Sequence, residues 1–410
     1  MSPNRRDFLR LTSAGVAAWG LNVPTFLSRA AALAPDAGKP GGKDTILVVV
    51  EFTGGNDGLN MVVPFNDDEY KKARPTLAIP GSQVKKVNDQ LGLHPGMDGL
   101  AELLQDNALA IALGVGYPNP TESHFRSMDI WQTAAPDDVL TEGWIGRALK
   151  DLPGAPSFHL KTGDQKAPLA MAGAPVSVPS IATLEEFQLQ TLAADQADKK
   201  NQRDVIEGSA KAKDGGGLLQ FVQKTAADTY ASSRRLQEIG KNYQPKAAYP
   251  NTPLAGRLKL AAQLIDADLG ARIFYVSIDG FDTHAAQATT HANLMTQVSG
   301  AMTAFFKDLA ARGHRDRLLM MTFSEFGRRV KENGSKGTDH GTAAPMLFVG
   351  GKVNAGPVGT QPSLADLEMG NLKYSADFRR VYATVLDRWL GVDSRTVLGG
   401  KFEHVDLFKA

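Results

Sequence analysis

The sequence predicts an α/β fold, a doubly wound and mostly parallel sheet flanked by helices. Two observations carry that expectation. Five short apolar runs, Ile46–Phe52, Leu109–Val115, Arg272–Ile278, Leu318–Phe323 and Pro345–Val349, have the length and continuous hydrophobicity of strands buried on both faces. Between them lie segments whose apolar residues recur at helical spacing. Strands alternating with helices build a sheet covered on both sides.

Taken in order, the first element is not part of that sheet. Asn4-Arg5-Arg6-Asp7-Phe8-Leu9-Arg10 precedes a mild apolar run that ends near Leu27. Paired arginines followed by Phe-Leu and a short apolar stretch read as a twin-arginine export signal. Thr12, Ser13, Gly15, Gly20 and Asn22 dilute the run and Pro24 breaks it, which suits a removable signal better than a permanent span. Ala32-Leu33-Ala34 offers a small-residue cleavage site, so residues 1–34 are expected to be signal and 35–410 the mature domain. The expected location is the periplasm or beyond, reached with the help of the twin-arginine translocation machinery and with the fold already formed.

After the strand Ile46–Phe52, Pro95–Gln105 places Pro at a first helical position and Leu100, Leu103 and Leu104 on one face. Residues from about 193 to 243 depart from the alternation. They are rich in Ala, Lys, Asp and Gln, broken by Gly215-Gly216-Gly217, and read as two inserted helices. Such an insertion is either a cap over the active face or a solvated hairpin. Leu254–Leu269 aligns Leu258, Ala261, Leu264 and Ile265 before Gly270, where a helix should stop. Thr290–Arg312 aligns Leu294, Val298, Met302, Phe305 and Leu309 before Gly313, and Asp377–Leu390 aligns Phe378, Val381, Val385 and Trp389 before Gly391.

Composition narrows the chemistry. Forty-five basic against 44 acidic residues leave a net charge of +1, which gives no electrostatic basis for binding nucleic acid. There is no cysteine, so an exported chain of this kind uses no disulfide, thiolate ligand or cysteine nucleophile. Any metal must be held by His, Asp, Glu or hydroxyl oxygens. No second apolar run is long enough to span a bilayer.

In open α/β sheets ligands bind beyond the carboxyl ends of the strands. Four loops follow predicted strands there: Thr53-Gly54-Gly55-Asn56-Asp57-Gly58-Leu59-Asn60, Tyr117–Arg126 with Ser123-His124-Phe125-Arg126, Asp279-Gly280-Phe281-Asp282-Thr283-His284, and Ser324-Glu325-Phe326-Gly327-Arg328-Arg329. Thr338-Asp339-His340-Gly341 precedes Pro345–Val349, and reaches the same edge if that strand runs antiparallel. Any one of these loops alone reads as a turn or a helix cap. Together they bring carboxylates and imidazoles to one rim, a donor set for Zn, Mn, Mg or Ca. The guanidiniums of Arg126, Arg328 and Arg329 lie in the same loops and could hold a tetrahedral oxyanion. His94, at a helix entrance, serves either a structural hydrogen bond or a ligand role. His159, His291, His314 and His404 lack a supporting constellation and read as structural or exposed.

The motif series Gly54–Asn60, Leu93-His94-Pro95, Ser123-His124-Phe125, Asp279–His284, Ser324–Arg328 and Thr338–Gly341 resembles a bacterial family with twin-arginine signals and a domain of unknown function assigned to the alkaline phosphatase/sulfatase superfamily. The resemblance implies an alkaline-phosphatase-like domain. It implies one or two divalent ions held by Asp57, Asp282, His284, Glu325 and His340, with Asp279 as a possible substitute ligand, and Ser123 as the nucleophile. It also departs from that pattern: Glu325 is followed by Phe326 where two-metal members usually carry His, and the formylglycine signature of sulfatases is absent.

Two functions compete on this basis. One is a metal-dependent hydrolase of phosphate or related esters, small or polymeric. Ser123 or a metal-activated water would attack, with His124, Arg126 and Arg328 assisting. The other is a non-catalytic binding or assembly protein of the envelope that keeps the fold, working with another exported protein of unknown function.

Overall fold

The computed structural model describes residues 44–152, 155–184, 236 and 238–409. The expected signal, and the expected insertion up to residue 235, lie outside the described residues. The main sheet is built from β1 (Ile46–Thr53), β2 (Leu109–Gly116), β3 (Ser157–Leu160), β4 (Ser180–Ile181), β5 (Ile273–Asp279) and β6 (Leu318–Ser324). A separate hairpin follows, β7 (Arg328–Glu332) and β8 (Thr338–His340). The sheet then resumes with β9 (Ala344–Gly350), β10 (Gly356–Val358) and β11 (Ala376–Asp377). The spatial order is β10-β2-β9-β6-β1-β5-β3-β4, with β11 also beside β2.

Strand β1 is central and pairs in parallel with both β5 and β6, Val49 lying opposite Tyr275 and Met321. Among the described strands of this sheet only β9 runs antiparallel, between β6 and β2. The doubly wound, mostly parallel sheet expected from the sequence is therefore the one observed. The reversal of β9 has a positional consequence: its starting loop lies at the edge where the parallel strands end.

The alternation within β1 divides the hydrophobic interior in two. Ile46, Val48, Val50 and Phe52 face one core, and Leu47 and Val49 face the other. Each such fully buried aliphatic side chain contributes about 1.5–3 kcal/mol over an exposed one. The first core is covered by α1 (Asp98–Gln105), α4 (Pro253–Asp266) and α5 (Gln287–Ala310); the second by α2 (His124–Thr133), α3 (Trp144–Lys150) and α6 (Phe378–Thr384). Glu51, which alternation sends to the second core, is buried and accepts hydrogen bonds from Gln132 Nε2 at 2.8 Å and from the Tyr275 hydroxyl. Its burial pushes its carboxyl above the usual carboxylate range, against the opposing effect of those donors.

Two helix boundaries differ from the sequence expectation for local reasons. Helix α1 begins at Asp98 rather than Pro95, because His94–Met97 close a turn in which His94 Nδ1 accepts the Gly96 N–H at 3.0 Å. Of the two readings left open for His94, this contact is the structural one. Helix α5 begins early, at Gln287, because the Lys336 carbonyl accepts the Gln287 N–H at 2.9 Å and the Ser335 carbonyl accepts that of Ala286 at 3.0 Å. The last predicted helix is α6 continued by a π-helical segment, Val385–Leu390, ending at Gly391 with φ 71°.

Candidate metal centre

The strand-end loops meet closely because the backbone after β1 is glycine. Gly54 has φ 118°, and a Cβ there would sit 2.4 Å from the Asp282 nitrogen. Gly55 has φ 75°, and its Cβ would strike the Phe326 ring. Arg328, 2% exposed, fastens the loops together. Its Nε donates to the Gly55 carbonyl at 2.6 Å and Nη1 to that of Thr338 at 2.9 Å. Its Nη2 donates to the Gly54 carbonyl, to that of Phe281 at 3.0 Å and to Asp282 Oδ1 at 2.7 Å.

Four side chains converge at this junction. His284 Nε2 lies 2.9 Å from His340 Nε2 and 3.0 Å from Asp282 Oδ1. His340 Nε2 is 3.3 Å from Asp282 Oδ1, and His124 Nε2 is 3.5 Å from Asp282 Oδ2. The ligand atoms of His124, Asp282 and His340 all fall within 4.8 Å of one another, a group that does not take in His284, which touches it through Asp282 and His340. A tetrahedral ion with bonds of about 2.05 Å separates its ligands by about 3.3 Å, so these spacings suit such an ion.

The other ring nitrogens fix the tautomers. His124 Nδ1 lies 2.8 Å from Glu325 Oε1, and His340 Nδ1 lies 2.8 Å from the Glu122 carbonyl. His284 Nδ1 faces Asp339 Oδ1 at 3.5 Å. Carboxylates and carbonyls only accept, so the Nδ1 atoms carry the protons and the Nε2 lone pairs turn inward. Metal-ligating histidines are oriented by such partners. His124 Nε2 is moreover buried without any hydrogen-bond partner, an orphan that a cation would satisfy. Partial burial raises the Asp282 carboxyl, yet the hydrogen bond and charge of Arg328, with His340 and His284, outweigh it and hold Asp282 below the usual carboxylate range. The donor set fits a divalent metal.

The remaining sequence candidates take other places. Glu325 is 1% exposed and does not enter the ligand group. It anchors the group instead, its Oε1 accepting from Gly54 N at 2.8 Å and from His124, and its Oε2 from Ser324 Oγ at 2.9 Å. Asp279, at the end of β5, is exposed and makes no hydrogen bond to these residues. Asp57 is fully buried and paired with Arg74, whose Nη1 lies 2.6 Å from Asp57 Oδ2. Burial raises that carboxyl, but the charges of Arg74 and His291 and the Arg74 and Gln287 hydrogen bonds bring it below the usual range. Gln287 Nε2 donates to Asp57, while its Oε1 accepts from Thr338 Oγ1 at 2.6 Å and Thr283 Oγ1 at 3.0 Å. Asp57 thus stands beneath the ligand loops, tied to the residues beside Asp282, His284 and His340.

Ser123 is exposed at the N-cap of α2, next to His124, with no capping hydrogen bond from its side chain. Arg126 donates to the carbonyls of Pro136 at 2.9 Å and Asp138 at 3.0 Å, and Arg328 is engaged as above. Of the three arginines in these loops, Arg329 retains an exposed head, with a loose 3.8 Å ion pair to Glu122. Phe326 packs its ring against His124 and His340 at 4.9 and 4.6 Å between centroids.

Sequence reasoning missed Arg74, Gln287 and the Glu122 carbonyl. Asp339, within the Thr338–Gly341 loop, faces His284 rather than its neighbour His340. His291, read as structural or exposed, is buried, with Nε2 3.1 Å from Asn56 Oδ1.

A comparison with curated proteins gives no match. Among solved structures, the fold is similar to the zinc complex of the C-terminal periplasmic domain of EcEptC from Escherichia coli, at 11% identity over 75% of this chain and 74% of that one, with a TM-score of 0.38. It is also similar to an alkaline phosphatase superfamily protein from Vibrio parahaemolyticus, at 11% identity over 93% and 78% with a TM-score of 0.38. A third is the PsFucS1 sulfatase from Pseudoalteromonas sp., at 12% identity over 94% and 75%, again at 0.38. The model of the family described as protein of unknown function (DUF1501) matches residues 44–403, and the chain belongs to that family.

Proposed function

We propose that the protein is an exported, metal-dependent hydrolase of phosphate or related esters, with its centre at His124, Asp282, His284 and His340. The observation that carries this reading is the set of Nε2 lone pairs turned onto the Asp282 carboxylate. When bound, a divalent ion would supply Lewis acidity, polarising an ester oxygen and lowering the pKa of a nucleophile. The chain's own part is to hold that geometry. Glu325, Asp339 and the Glu122 carbonyl keep the imidazoles in the Nδ1–H tautomer, and Arg328 keeps Asp282 charged and aimed. Ser123 places a hydroxyl one residue before His124, on the exposed face of the same helix start. Arg329 offers its guanidinium to an incoming oxyanion.

Export rests on the Arg5-Arg6 signal. Lysine at both positions should leave the protein in the cytoplasm in cell fractionation, and normal export of that variant would remove this part of the reading. No helix among the described residues is long and apolar enough to cross a membrane.

The test is elemental analysis of protein purified from the periplasm, with Asp282→Asn and His340→Ala variants, followed by a phosphoester, phosphonate and sulfate ester screen. Stoichiometric metal that both variants lose, together with turnover, supports the reading. Metal-free folded protein without turnover would leave the envelope binding protein, a reading favoured by the internal engagement of Arg126 and Arg328.

A further inference from the structure

Six large hydrophobic side chains stand exposed among the described residues, and five of them ride on segments fastened to the start of α2. Phe125, 87% exposed, directly follows the ligand candidate His124. Val139 (82%) and Leu140 follow the carbonyls of Pro136 and Asp138, both held by Arg126 Nη2. Met369 (83%) and Tyr374 flank Asn371, whose Nδ2 donates to Glu122 Oε1 at 3.0 Å. Met369 also adopts φ 49°, a conformation methionine rarely takes, at the tip between the short strands Leu367–Glu368 and Asn371–Leu372. Glu122 is the residue whose carbonyl holds His340. The tethers thus tie two segments bearing exposed apolar side chains to Glu122 and Arg126, the residues on either side of Ser123-His124-Phe125.

Charge at the same place selects the occupant. The ligand cluster would carry a divalent cation, and Arg329 extends an exposed cationic head beside Glu122. Its Nε is buried without a hydrogen-bond partner. A divalent ion held there, together with the Arg329 head and an apolar rim, would be complementary to an anion that carries hydrocarbon.

We infer that the rim formed by Phe125, Val139, Leu140, Met369 and Tyr374 receives the hydrocarbon portion of an amphiphilic phosphate ester whose charged head enters the His124–His284–His340–Asp282 centre. This inference rests on the metal-dependent ester reading above. It deepens that reading by naming the substrate class.

The experiment uses the mature, zinc-loaded protein and measures binding of inorganic phosphate, ethyl phosphate and octyl phosphate by calorimetry. The same series is run on Phe125→Ser, Met369→Ser and the double variant, with metal content determined for each. Octyl phosphate should bind about tenfold more tightly than ethyl phosphate, the worth of roughly two buried methylenes. That preference should disappear in the double variant while metal content is unchanged. Equal affinity for the ethyl and octyl esters would overturn the inference alone, as would a preference that survives both substitutions. A concentration-dependent dimer abolished by the substitutions would also overturn it, assigning the rim to a second copy. Absence of zinc-dependent binding by every phosphate would instead remove the ester reading and this inference with it.

Discussion

His284 and His340 face one another with their Nε2 atoms 2.9 Å apart and Asp282 Oδ1 within 3.3 Å of each. With both Nδ1 atoms turned to oxygen acceptors, two lone pairs point into the same small volume. A shared proton or a bound cation would relieve that arrangement, which Arg328 Nη1, 3.5 Å from His284 Nε2, meets only at the limit of a hydrogen bond. Zinc should therefore raise the melting temperature of metal-stripped protein, as ligand linkage requires: occupancy at 100 times Kd adds about 2.7 kcal/mol. His340→Ala should abolish the shift. An unchanged melting temperature on adding zinc to the unaltered protein would count against the site.

Glu325 acts on the centre through His124, so its substitution separates charge from shape. Glutamine keeps an acceptor for the Gly54 and His124 N–H groups but loses the negative charge. Glu325→Gln should weaken metal affinity by about 10- to 100-fold while the folded state persists. Competition with a chelator of known affinity measures it. Affinity equal to that of the unaltered protein would show that the Glu325 charge does not tune His124.

The strands and the meeting of the loops that follow them were legible because continuous apolar runs mark buried strands and the loops after parallel strands gather at one edge. Continuous apolar runs fixed β1, β2, β5, β6 and β9, and the carboxyl-end rule then pointed to His124, Asp282, His284 and His340. Asp57 obeyed the same rule yet stands elsewhere, because its partner Arg74 closes a short helix, Asp68–Ala73, with nothing in its spacing to mark it as buried. The Glu122 contact is made through a backbone carbonyl, which side-chain reading does not see. One signal was available and unused. Gln287 and His291 stand four apart at the start of α5, on the stripe continued by Leu294, Met295 and Val298, so polar groups sit on a core-facing line.

The Asp57–Arg74 pair, fully buried on both sides, should be costly to break and cheap to remove whole. Arg74 also donates to the carbonyls of Val330 and Arg329, binding the loop after β1 to the hairpin that carries His340. Arg74→Met leaves an uncompensated carboxylate and should destabilise the protein by about 3–5 kcal/mol. Adding Asp57→Asn to that variant should recover a substantial part. Urea denaturation of the mature protein checks both, and a double variant no more stable than Arg74→Met would refute the coupling.

Acid should destabilise the protein before most of its carboxylates titrate, Glu51 with its raised carboxyl acting in the opposite sense. Burial brings His94, His159 and His291 each down to about 4, the charges of Arg257 and Lys161 adding to the effect at His159. The geometry agrees. His94 Nδ1 accepts from Gly96, and His291 Nδ1 is buried without a partner, so protonation would displace one hydrogen bond and bury an unpaired N–H at the other. In the unfolded chain these residues return to about 6.5, so between about pH 6.5 and about pH 4 the unfolded state binds more protons. Stability is therefore full above that window and falls as pH drops through it, by up to about 1.4 kcal/mol per pH unit for each histidine. Urea midpoints at pH 7, 6 and 5 read this slope, and His159→Gln should lessen it by about one proton's share. A flat profile from pH 7 to 5 would mean that the buried imidazoles already accept protons in the folded protein.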